Sequence, residues 1–96
     1  MISRETLRAL QREMGQEFHR GGLNLPDWWA NDTLRAAYND AAHALSLAMT
    51  AHDCVIYRWN GASGDQTYIY TQRDLDRMAA AVDRLYDRAL AAWNSI

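Results

Sequence analysis

Apolar residues return at three- and four-residue intervals in three stretches of this chain, and each stretch reads as one face of a helix. The first helix is predicted over about residues 4–20, with Leu7, Leu10, Met14 and Phe18 on its inner side. Ser3 is placed to cap it, because its hydroxyl can accept an otherwise unpaired amide of the first turn. Ile2 and Leu7 have the spacing of a hydrophobic staple, and Gly21 offers a left-handed stop. Gly15, in mid-helix, lowers propensity by up to ~1 kcal/mol relative to Ala. The second helix is predicted over about residues 32–52, capped by Asn31 or Asp32. Its stripe is Leu34, Tyr38, Ala41, Leu45, Ala48, Met49 and His52. The third is predicted over about residues 72–94, with Leu75, Met78, Ala79, Val82, Leu85, Tyr86, Ala89, Ala92 and Trp93 turned inward. Thr71 and Asp74 have capping-box spacing, and Tyr70 with Leu75 makes a second staple.

Between the last two helices the period changes. Residues 54–59 and 67–71 are β-branched and aromatic, and a Gly/Ser/Asp turn separates them, which predicts a β-hairpin over about residues 54–71. The expected fold is therefore α+β and predominantly helical: a three-helix core with one short antiparallel ribbon, in the order α-α-β-β-α. The alternative is an all-α three-helix bundle in which the second helix continues, since Val55, Ile56 and Trp59 keep its phase. That helix would reach Asn60 and run ~42 Å.

A chain of 96 residues has the size of a single domain, spanning 1–96. Sixteen of its apolar residues are Ala, so the core rests on ten Leu and on Trp, Tyr and Met. The net charge is −2, without the basic excess that gives a general nucleic-acid binder its affinity for phosphates. All ten basic residues are Arg. The lone cysteine, Cys54, permits no intramolecular disulfide and fits a reducing compartment. The first residues lack an apolar run of signal-peptide length, and no stretch approaches the ~20 apolar residues of a membrane span. A cytoplasmic protein with no membrane partner is expected.

Candidate chemistry is sparse. His52, Asp53 and Cys54 bring a base, a carboxylate and a thiol together, but zinc needs four ligands, usually in paired motifs, and a cysteine nucleophile needs a positioned His. Neither pattern is present, so no catalytic residue, metal or cofactor is expected. Asp83 and Asp87 lie one turn apart among Arg84 and Arg88, as on a solvated face. The Gly61 to Gly64 turn lacks the Lys-Ser/Thr of a phosphate loop.

Binding signals are clearer. Trp28 and Trp29 adjoin in a connection, and Trp is enriched at binding hot spots. Arg4, Arg8 and Arg12 form an i, i+4, i+8 stripe suited to phosphates or an acidic protein. Tyr57, Trp59 and Tyr68, with Tyr70, would line the ribbon, whose unpaired edges recruit partners. Eleven residues, 68–78, resemble the wing-to-helix stretch of MerR-type regulators; the helix-turn-helix that precedes it in that family has no counterpart here, so the resemblance implies no DNA contacts.

The expected function is a small non-enzymatic protein–protein interaction module: a regulator, adaptor or inhibitor. Compact acidic chains of this kind are common among phage and mobile-element accessory proteins, including anti-CRISPR inhibitors, an analogy of size and composition. A homodimer through the ribbon edge or an Ala-rich helix face is compatible with it. The alternative is a nucleic-acid-associated regulator that uses the Arg stripe.

Overall fold

The computed structural model describes residues 1–19, 31–57 and 70–96, with side chains for 1–15, 31–57 and 70–96. Within them lie three helices: α1, Arg4–His19; α2, Asp32–Tyr57; and α3, Gln72–Asn94. Each starts at a polar cap. Ser3 Oγ accepts the Thr6 amide at 3.2 Å, and Asn31 Oδ1 accepts the Leu34 amide at 3.1 Å. At α3 the box is reciprocal: Asp74 N donates to Thr71 Oγ1 at 3.2 Å, and Thr71 N donates to Asp74 Oδ2 at 3.1 Å. The Thr71 backbone amide, and with it the Thr71 side chain, hold the Asp74 carboxyl below its ordinary value of 3.8.

The predicted hairpin is the main correction. Residues 54–57 are helical, the last turn of α2, and no strand occurs among the described residues. The fold is all-helical, as in the alternative reading. Residues 58–69, which held the turn and most of the second strand, lie outside the described residues. β-Propensity is a weak preference that tertiary contacts override, and the helix is anchored at and just past its predicted end. His52 is buried at 6% exposure, and Asp53 pairs with Arg4 of α1. His52 is the last residue of the predicted helix, and the Asp53 pairing needs α2 to keep its helical phase beyond that end. At 26 residues the helix is about 39 Å long.

Contacts fix the directions of the three rods. Arg4, at the start of α1, meets Asp53, near the end of α2, so these two run antiparallel. Asp40 pairs with Arg88 at 2.7 Å, and Tyr38 meets Trp93 edge-on at 6.3 Å between ring centres, so α2 and α3 are antiparallel too. The α1 and α3 helices then run parallel. The Ile2 amide donates to Asp83 Oδ1 at 2.6 Å, and ten residues further along α3 the Trp93 indole donates to Glu13 Oε1 at 3.4 Å.

The core lies on the shared axis. Ala41, Ala44 and Ala48 of α2 are buried with Val82, Ala89 and Trp93 of α3, and Leu7, Leu10 and Met14 of α1 close it. Small side chains let α2 and α3 approach closely, and this is the most extensive of the three helix pairings. The Ala-rich face considered for a homodimer is thus turned inward against α3.

Candidate functional site

The α1–α2 pairing leaves a groove. It has a volume of about 390 Å³, and its apolar floor is Met14 of α1 with Tyr38, Ala42, Leu45 and Met49 of α2. On α2 these residues sit at i, i+4, i+7 and i+11, one ridge of the helix. The stripe read as core from the sequence is therefore wider than its neighbours cover. Leu45 and Met14 are buried, whereas Tyr38, Ala42 and Met49 are only half-buried.

The walls are polar. Gln11 and Gly15 face the groove from α1, and Ser46 and Thr50 from α2. The Thr50 hydroxyl donates to the Ser46 carbonyl at 3.1 Å, so its oxygen still has lone pairs to offer. The Arg4–Asp53 pair closes one end. Past that pair the apolar ridge resumes: Ile56 is seven residues after Met49 and 53% exposed, and Tyr57 beside it is 70% exposed. A β-carbon added at Gly15 would meet no described atom within 4 Å. The described fold does not need a glycine there.

Of the residues expected to bind a partner, Arg4 is half-buried and engaged by Asp53, which removes it from the free stripe. Arg8 and Arg12 are exposed and make no ion pair among the described residues. Helical spacing puts Arg8 four residues after Arg4 and seven before Gly15, along the same rim. Tyr57 is exposed, but on the last turn of a helix and not on a ribbon edge. The structure brings Arg4 and Tyr57 to one end of the groove through Asp53. Trp28, Trp29, Trp59 and Tyr68 lie outside the described residues. Sequence reasoning missed the groove itself, with Gly15 and Asp53; its readable trace was a glycine in mid-helix beside an unusually broad apolar stripe.

His52 and Cys54 form no joint site. They are two residues apart on a helix, about 200° around its axis. His52 is buried, Cys54 is half-buried, and among the described residues no group of three His, Cys, Asp or Glu could hold a metal ion. The His52 Nδ1 is buried without a hydrogen-bond partner among the described residues. No described helix is long and apolar enough to cross a membrane. Another, more open cleft at the start of α3 is bounded by Tyr70, Asp74, Arg77 and Met78. No protein-family model, curated protein or solved structure matches the chain.

Proposed function

We propose that this chain is a non-enzymatic protein-binding module of a reducing compartment, acting as a regulator, adaptor or inhibitor by engaging another protein along the α1–α2 groove. The observation that carries this reading is the apolar ridge of α2 that the described residues cover only in part, from the half-buried Tyr38 and Met49 to the exposed Ile56 and Tyr57. Contiguous exposed apolar surface beside polar rims is the usual mark of an interaction site. A lined groove also suits a macromolecular side chain better than a reaction, because the described residues around it supply one engaged ion pair, amides and hydroxyls but no nucleophile with a positioned base.

The test is affinity capture from the native host with and without nuclease, compared between the wild-type chain and a Met49→Asp/Ile56→Asp variant. A protein captured in both nuclease arms and lost in the variant supports the reading. Capture abolished by nuclease, together with a steep fall in binding for Arg8→Gln/Arg12→Gln and a reduced salt slope, would instead establish a nucleic-acid partner.

A further inference from the structure

We propose that the occupant of the α1–α2 groove is an amphipathic helix of a partner protein, carrying acidic residues on the flank that faces α1. The inference rests on the protein-binding reading and specifies the partner's chemistry. Three observations carry it.

The first is shape. Two antiparallel helices make a trough that accepts a third rod, and the floor residues of α2 repeat at 38, 42, 45 and 49, the ridge on which a helix packs. From Tyr38 to Asp53 the trough is about 22 Å long, the length of a helix of about 15 residues. Strand addition has no platform, since the described residues contain no sheet edge.

The second is Gly15. It weakens α1 by about 1 kcal/mol relative to Ala, and its missing side chain relieves no contact among the described residues. A glycine facing a groove allows another backbone to approach closely. The third is charge. The chain carries −2 in total, yet helical spacing sets Arg8 beside the lining residues Arg4 and Gly15, with Arg12 one turn on and further toward the outside, and neither Arg8 nor Arg12 has an ion-pair partner among the described residues. The opposite rim offers the uncharged Ser46 and Thr50, and Asp53 at the end is already matched by Arg4. An incoming helix with Asp or Glu toward α1 would be complementary, and one with Lys or Arg would be repelled.

The experiment is selection from a displayed library of 16-residue peptides with Leu fixed at i, i+4, i+7 and i+11 and the flanking positions randomised. Enriched sequences should carry Asp or Glu on one flank. Their affinity should fall at least tenfold for Gly15→Leu, for Ser46→Trp and for Arg8→Glu/Arg12→Glu, while Arg73→Glu, an exposed site on α3, leaves it unchanged. Leu is a better helix former than Gly, and Ser46 is exposed, so two separate occluding variants guard against a simple folding defect. Basic or neutral flanks, no enrichment, or equal binding to both occluding variants would overturn the proposal. Peptides indifferent to Gly15→Leu but lost with Trp28→Ala/Trp29→Ala would remove the groove as the site and leave the protein-binding reading standing.

Discussion

Arg4 and Asp53 join the first turn of α1 to the last turns of α2 across 49 positions of sequence, Nη1 to Oδ1. The pair lies across the antiparallel α1–α2 pairing and ends the groove between the two helices. Both side chains remain about one-third exposed, at 33% and 35%, so solvent screens most of their attraction. A double-mutant cycle with Arg4→Ala and Asp53→Ala should give a coupling of ~0.2–1 kcal/mol, read from urea midpoints. A coupling indistinguishable from zero at low salt would show that the pair adds nothing to stability.

The cap of α3 makes a prediction with a pH signature. Thr71→Ala removes the acceptor for the Asp74 amide and should cost about 1 kcal/mol, a fall in Tm of about 4–8 °C for a chain of this size. Asp74 has a folded-state pKa below 3.8, so the unfolded chain takes up its proton first as the solution is acidified. Its stabilising contribution is therefore complete above the ordinary aspartate range and is lost as the pH falls through the lower, folded-state value. The stability difference between the wild type and Asp74→Asn should be constant near neutrality and close from about pH 4 downward. A difference that grew on acidification would have the wrong sign for this cap.

Neighbouring residues of α2 should differ in their sensitivity to a change in size. Ala48 is fully buried in the α2–α3 seam, whereas Leu47 is 44% exposed. Ala48→Leu forces extra methyl groups into a close helix approach and should destabilise by ~1–3 kcal/mol. Leu47→Ala should stay within about 0.5 kcal/mol of the wild type. Chemical denaturation of the two variants side by side checks both, and a reversed order would mean that the helix is rotated from the orientation described.

Gly15→Ala should raise stability by about 0.5–1 kcal/mol, since the methyl group gains helix propensity and meets no described atom. Thermal melts would reveal it as a higher Tm. A loss of stability would mean that the site is closed in solution.

Much of the fold was legible because helix-forming signals were local. Ser3, Asn31, Thr71 and Asp74 cap the helices they were expected to cap, and the stripes through Leu7, Leu45 and Val82 supply the core. The end of α2 was not legible. Val55, Ile56 and Tyr57 favour strands by local preference; His52 was on the predicted stripe, but Asp53 reaching Arg4 is a contact invisible to spacing. The same long-range pairing took Arg4 out of a stripe that looked uniform in sequence. The groove was half-visible: Tyr38, Leu45 and Met49 were recognised as one face, but how much of that face a neighbour covers is decided only by packing.

The unequal seams of this bundle have a kinetic consequence. The α2–α3 pair shares the longer interface, while α1 is held by Leu7, Leu10 and Met14 and by polar clasps at Asp53, Asp83 and Glu13. Opening should therefore begin with α1 swinging off an intact helical hairpin, a partial event of lower free energy than global unfolding. The amides of α1 would exchange with deuterium earlier than those of the α2–α3 seam. Anything seated between α1 and α2 bridges the weaker joint, so its arrival would lengthen the closed lifetime of one helix and slow that exchange without altering the shape of the molecule.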